Sequence, residues 1–214
     1  MKFVKIHHSI GKELNFPEGV EKLHFKHFTL EGHENVIEFP ESILELELSI
    51  NYGLEFIVFP KFLRKLTLGG YFNSSVKDAN FPQTLTHLTF NGAHFDQDVR
   101  NANFPKSLIY LEFNIAFNQP IKDANFPSKL RRLILGYDFN QDIRNANLPE
   151  GLVQLNLGVS FNHPIKDANL PKSLKVFIIE GTFGKVKFNH PIKDANLPKS
   201  LKQFRINGMD LTGF

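Results

Sequence analysis

Phe117-Asn118-Gln119-Pro120-Ile121-Lys122-Asp123-Ala124-Asn125-Phe126-Pro127 returns 22 residues later as Phe139-Asn140-Gln141-Asp142-Ile143-Arg144-Asn145-Ala146-Asn147-Leu148-Pro149. Self-similarity at a fixed period of about 20 to 50 residues marks stacked structural units, and overlooking it misreads the whole chain. The closing apolar-Pro pair recurs at Phe16-Pro17, Phe39-Pro40, Phe59-Pro60, Phe81-Pro82, Phe104-Pro105, Phe126-Pro127, Leu148-Pro149, Leu170-Pro171 and Leu197-Pro198, four of the eight steps being 22 residues.

After each Pro an apolar residue follows at the third, sixth and eighth positions, as in Leu108, Leu111, Phe113 and again Leu130, Leu133, Leu135. The last two alternate as in a strand, with Leu133 and Leu135 facing inward and Ile134 outward, and Pro suits a strand entrance because it has no N–H to place in a ladder. Each unit therefore supplies one short strand. A return of about 16 residues to the next equivalent strand is too long for a hairpin and requires a parallel, right-handed crossover. The expected fold is mainly β: a right-handed leucine-rich-repeat-like solenoid with one parallel sheet and little or no α-helix. About nine coils spaced about 4.8 Å apart make a sheet roughly 40 Å wide.

Pro and Asn in the second half of the unit exclude a regular helix. Stacking that half aligns Phe72, Phe95, Phe117, Phe139 and Phe161 as an aromatic spine, which no single unit could bury alone. Two Asn columns, Asn73, Asn118, Asn140, Asn162, Asn189 and Asn80, Asn103, Asn125, Asn147, Asn169, Asn196, read as ladders. An amide both donates and accepts, so each could satisfy backbone groups where the coil turns.

These motifs resemble the FNIP repeat family, a leucine-rich-repeat relative of about 22 residues per unit named for Phe-Asn-Ile-Pro and common in amoebae and giant viruses. Phe-Asn-x-Pro-Ile stands at Phe117 to Ile121, Phe161 to Ile165 and Phe188 to Ile192. Asp142 replaces the motif Pro, Phe95-Asp96 replaces Phe-Asn, and residues 17–70 keep only the Pro-x-x-Leu-x-x-Leu half. The resemblance implies an interaction module. Some relatives carry an F-box that recruits a ubiquitin ligase; with repeat signal beginning at Phe16, the expectation is that this sequence carries none. The expected organisation is one domain: a cap over 1–16 with Phe3 to Ile6 as a strand, repeats over 17–206, and a tail over 207–214.

The chain is 42% hydrophobic with 23 Phe, which suits a folded domain rather than a disordered one. With no Cys there is no disulfide framework or thiolate metal site. The first residues lack the apolar run of a signal peptide and no stretch approaches the length of a membrane span, so the expectation is a soluble, cytoplasmic protein, of the host cell were it viral. The formal charge is +3, and the basic residues are not gathered in one block. Nucleic acid is therefore not an expected partner.

Function is read from what does not repeat. The outward strand positions vary while the interior is constant, and the expected partner-binding residues are Lys65, Thr67, His87, Thr89, Tyr110, Glu112, Arg132, Ile134, Gln154 and Asn156. Tyr110 and Arg132 are good anchor types. The partner is an unknown protein, and the alternative is self-assembly through an open C-terminal edge. The Lys-Asp and Arg-Asn pairs of the opposite rim read as solvated charge. His24, His27 and His33 are the only local His cluster, without the spacing of a metal site. No nucleophile pattern or phosphate loop is present, so neither catalysis nor a cofactor is expected. A 27-residue step between Pro171 and Pro198 adds five residues around 184–188 as a protruding loop.

Overall fold

The computed structural model describes residues 2–7, 15–26, 36–92, 94–181, 185–193 and 195–212. Its strands are β1 (Phe3–His7), β2 (Lys22–Lys26), β3 (Ile37–Glu38), β4 (Glu45–Ser49), β5 (Ile57–Val58), β6 (Lys65–Gly69), β7 (His87–Phe90), β8 (Tyr110–Phe113), β9 (Arg132–Ile134), β10 (Gln154–Leu157), β11 (Val176–Ile179), β12 (Gln203–Ile206) and β13 (Met209–Asp210). Eleven of them form one sheet in chain order, parallel throughout except for the last pair. Every apolar-Pro pair is followed by one of β2, β4 and β6 to β12. The fold is a leucine-rich-repeat-like solenoid with short strands, and a single 3-10 turn, Leu54–Phe56, is the only helical element among the described residues.

From Pro40 onward each coil enters its strand through the same turn. The apolar residue three after Pro donates its N–H to the Pro carbonyl, as in Leu108 to Pro105 at 3.0 Å and Leu130 to Pro127 at 2.9 Å. The next residue then bonds back to its counterpart one coil earlier, as in Arg131 to Ile109 at 2.9 Å and Lys175 to Val153 at 2.9 Å. Coils are thus tied to one another before the strand begins.

The aromatic spine is present and extends one coil beyond expectation. Phe72, Phe95, Phe117, Phe139, Phe161 and Phe188 stack at 5.8 to 6.3 Å with ring planes within 9° of parallel. Nearer the sheet, Phe90–Phe113 and Phe177–Phe204 are separated by 5.1 and 5.3 Å. Each pair is one coil apart, and strand backbones pack about 4.8 Å apart. Separation per coil therefore grows with depth from the sheet, so the solenoid fans open on the Phe side and the sheet lines its concave side.

The first Asn column is a ladder, though an exposed to half-buried one that uses only the amide oxygen. Asn118 Oδ1 accepts the Asn140 N–H at 2.8 Å, Asn140 Oδ1 that of Asn162 at 2.8 Å, and Asn162 Oδ1 that of Asn189 at 3.1 Å. A carboxylate serves equally, and Asp96 Oδ1 takes the same place by accepting the Asn118 N–H at 2.8 Å.

The second Asn column forms no ladder. Asn80, Asn103, Asn125, Asn147, Asn169 and Asn196 are exposed and sit at the centres of tight turns, in which Phe104 N–H bonds Ala102 at 2.9 Å and Phe126 N–H bonds Ala124 at 2.9 Å. Among their amides, Asn103 reaches a carbonyl, Lys77 O, at 3.4 Å. In the early coils Ile37-Glu38 and Ile57-Val58 occupy this Ala-Asn position. Their β-branched residues extend instead of turning, and they pair as a second, two-stranded parallel sheet that the single-sheet expectation did not include.

Replacement of the motif Pro also has a local cause. Asp98 and Asp142 stand where Pro is expected, and each accepts the backbone N–H two residues on, from Arg100 and Arg144, at 2.9 Å. Ser75 does the same for Lys77 at 3.2 Å. Pro holds this turn by fixing φ, and Asp or Ser holds it by a side-chain hydrogen bond.

At the C-terminus Asn207 and Gly208, with φ of 52° and 78°, turn the chain back so that β13 pairs antiparallel with β12. This is the two-residue Asn-Gly hairpin signal. Thr212 Oγ1 accepts the Phe204 N–H at 2.8 Å, so the edge of β12 is covered by its own chain. Within the 184–188 insertion, Gly184 lies outside the described residues. Lys187 N–H bonds Val159 O at 2.8 Å, which returns the coil to register.

Candidate functional site

Strand register sets the outward residues in two straight columns. One runs Lys65, His87, Tyr110, Arg132, Gln154, and the other Thr67, Thr89, Glu112, Ile134, Asn156. All ten sequence-selected residues lie together on the sheet face, half-buried except for exposed Lys65 and Arg132. Ile178, further along the second column, is only 9% exposed and offers little contact surface.

Side chains along these columns already engage one another. Glu45 bridges Lys22 at 3.0 Å and Lys65 at 2.8 Å, and the Lys65 hydrogen bond above all holds its carboxyl below the ordinary range. His87 stacks on Tyr110 with ring centroids 5.5 Å apart, and the Arg132 guanidinium, from the strand on the other side of Tyr110, lies 5.7 Å from the centroid of the Tyr110 ring. Burial, then the charge on Lys65, lowers the His87 pKa. Burial, then the hydrogen bond that its hydroxyl donates to Glu112, raises that of Tyr110. His87, Tyr110 and Arg132 thus form a continuous slab spanning three strands, held by their mutual contacts.

Beyond this slab the strand ends open into a groove of about 750 Å³ lined by Glu112, Ile115, Ile134, Tyr137, Asn156 and Glu180 among others. Two glycines make it possible. A Cβ on Gly136 would lie 1.7 Å from Asn114 O, and one on Gly158 2.0 Å from Gly136 O, so backbones of successive coils pack directly there. Ile115 and Tyr137 are exposed at its edge.

His24 lies on β2, with Nε2 3.2 Å from Ser49 Oγ and 3.6 Å from Glu47. His27 and His33 lie outside the described residues, among which no group of three or more His, Asp or Glu is placed to hold a metal ion. On the rim opposite the strand entrance, Arg100 and Arg144 pair with Asp98 and Asp142 in the turns described above.

Two features escaped the sequence reading. The second residue after Pro is often Ser or Thr, and its hydroxyl donates to a carbonyl of the preceding coil: Ser107 to Leu85 at 2.6 Å, Ser173 to Leu152 at 2.7 Å and Ser200 to Leu174 at 2.7 Å. The Pro-x-Ser/Thr-Leu pattern was the available signal. Charge is also gathered after all, with eight Lys or Arg against two acids in residues 172–205 and five Lys against ten acids in residues 1–60.

The FNIP Repeat family model matches residues 72–114, 117–160 and 145–183, more than half of the chain. The chain belongs to the FNIP repeat family. In FNIP terms the matched span covers the spine from Phe72 to Phe161, and the columns from His87 to Asn156 lie inside it. No curated protein matches the chain. Among solved structures it is similar to CroV588, described as a novel circular LRR protein structure, at 26% sequence identity and a TM-score of 0.47. The match covers 93% of this chain and 39% of CroV588, so this FNIP chain spans well under half of that protein's length. No helix among the described residues is long and apolar enough to cross a membrane.

Proposed function

We infer that this chain is a non-catalytic protein-binding module that engages its partner through the sheet face, with the His87, Tyr110 and Arg132 slab at the centre of contact. The observation that carries this reading is the contrast between a repeating interior and two register-aligned columns of differing side chains. Aromatic and Arg side chains held in place by their neighbours lose little freedom on binding, which makes them effective anchors. The concave placement of the sheet brings both columns to bear on one convex object. Cofactors play no part in this reading, and the protein works in the cytoplasm.

Assembly through the C-terminal edge is the weaker reading because β13 already pairs with β12. The test is affinity capture with wild type beside a Tyr110→Ala, Arg132→Ala variant, followed by a titration with the captured partner in purified form. Binding by the variant should weaken by about tenfold or more. Equal affinity for both proteins would remove the sheet face from consideration.

A further inference from the structure

We propose that the strand-entry rim is a self-complementary surface on which two copies of this chain pair antiparallel about a two-fold axis through the fifth coil. Numbering the coils from Pro17 to Pro198, the first and fourth residues after each Pro lie side by side from coil to coil. The fourth-position residues are joined directly, Arg64 N–H to Leu44 O at 2.9 Å, Ile109 to Thr86 at 2.9 Å and Lys202 to Lys175 at 2.8 Å. The rim is therefore an ordered row that follows the curve of the solenoid, and its charge sequence has spatial meaning.

That charge sequence is complementary to its own reverse. The first coil presents Glu18 and Glu21, and the ninth Lys199 and Lys202. The second presents Glu41, and the eighth Lys172 and Lys175; the third presents Lys61 and Arg64, and the seventh Glu150. Antiparallel pairing sets coil one against nine, two against eight and three against seven, so each of these meetings is of opposite sign. Parallel pairing would set every group against its own copy. Among the described residues none of these charges takes part in an ion pair within the chain, unlike Lys22, Glu45 and Lys65 on the sheet face.

Shape agrees with charge. The fifth coil, on the axis, carries Ile109, which is 41% exposed and meets its own copy there. Phe62 of the third coil, 50% exposed, faces Gly151 of the seventh, where the Arg131 guanidinium lies in place of a side chain and offers the ring a cationic surface. A hollow of about 350 Å³ bounded by Glu41, Leu44, Phe62, Arg64 and Thr84 lies opposite the partner's sixth to eighth coils. Like charges meet at two places, Lys106 with its copy and Arg131, lying over Gly151, with Lys61 and Arg64 of the third coil, and these long flexible side chains can splay apart. A rim of about 40 Å by about 12 Å buries roughly 1,000 Å² over both copies, at the lower limit for a specific interface. The dimer is consequently weak and salt-sensitive, and it leaves both sheet faces open on the same side.

The decisive experiment is sedimentation across salt concentration. Wild type should be a dimer at about 20 mM salt and dissociate by about 500 mM, as Debye screening shortens. A Lys172→Glu, Lys175→Glu, Lys199→Glu, Lys202→Glu variant and a Glu18→Lys, Glu21→Lys, Glu41→Lys variant, each with wild-type circular dichroism, should be monomers alone and form a one-to-one dimer when mixed. Because the chain has no Cys, Ile109→Cys should form a disulfide-linked pair on the axis about tenfold faster than Ile115→Cys, a site of similar exposure off the rim. A wild type monomeric at low salt, a mixture that stays monomeric, growth beyond the dimer, or equal crosslinking rates would each overturn the proposal.

Discussion

The guanidinium of Arg131 occupies the place where a side chain at Gly151 would begin: a Cβ there would lie 2.2 Å from Arg131 Nη1. The same nitrogen donates to Ser128 O at 3.1 Å and to Leu130 O at 3.2 Å. In other coils a carbonyl equivalent to that of Leu130 accepts from the Ser of the next coil, as Leu152 does from Ser173. Arg131 therefore substitutes for a missing hydroxyl. Arg131→Ala should cost about 0.5–1 kcal/mol in urea denaturation, whereas the same change in a Gly151→Ser background should cost almost nothing. Equal costs in both backgrounds would show that the two positions are not coupled.

The Asn ladder makes a sharper chemical distinction. Asn162 accepts the Asn189 N–H through Oδ1, and its amide nitrogen donates no hydrogen bond among the described residues. Asn162→Asp keeps the acceptor and should leave the melting temperature nearly unchanged, whereas Asn162→Ala should lose about 1 kcal/mol. If both lose stability alike, an amide donor is needed after all and Asp96 is an exception rather than a precedent.

These two cases show what was legible in the sequence. Periodicity located the strands and the Phe spine because burial repeats with the coil and leaves an apolar residue at each position. Polar ladders were harder to assign, since Asn is consistent with accepting, donating or simply turning, and only backbone partners tell the first column from the second. Single-coil exceptions, Gly151 with Arg131 or Asp142 with Arg144, break the period and are invisible to it. The sheet-face residues were found from their failure to repeat. Their mutual stacking, His87 on Tyr110 beneath Arg132, depends on neighbouring strands 22 or so residues apart and could not be read along the chain.

Acid should act on the turns that carry Asp in place of Pro. Hydrogen bonding to Arg100 holds the Asp98 carboxyl below the ordinary carboxylate range, and Arg144 does the same for Asp142. A carboxyl depressed in the folded state contributes its full stabilisation above the ordinary value near 4 and loses it as pH falls through the lowered folded value. Both pairs are exposed, so the effect is small. Asp98→Asn with Asp142→Asn should melt slightly below wild type at neutral pH, and the two melting curves should converge below about pH 3. A gap that persists unchanged in acid would mean that geometry rather than charge holds these turns.

The glycines after the inward leucines separate two structural roles that look identical in sequence. Gly69, Gly136 and Gly158 follow Leu68, Leu135 and Leu157 respectively. A Cβ on Gly69 meets Ser49 Oγ at 3.6 Å, an ordinary contact, whereas one on Gly136 would lie 1.7 Å from the backbone oxygen of Asn114. The chain on either side of Gly136 cannot simply retreat, because Asp138 N–H is bonded to Ile115 O at 2.9 Å and Phe139 N–H to Gly136 O at 3.1 Å. Gly69→Ala should hold or raise stability by up to about 1 kcal/mol, while Gly136→Ala should cost about 3 kcal/mol. Denaturant midpoints for the two variants decide the matter, and equal midpoints would mean that the coils yield at the groove. Such yielding would make its floor an adjustable contact surface instead of the rigid one that the close backbone packing requires.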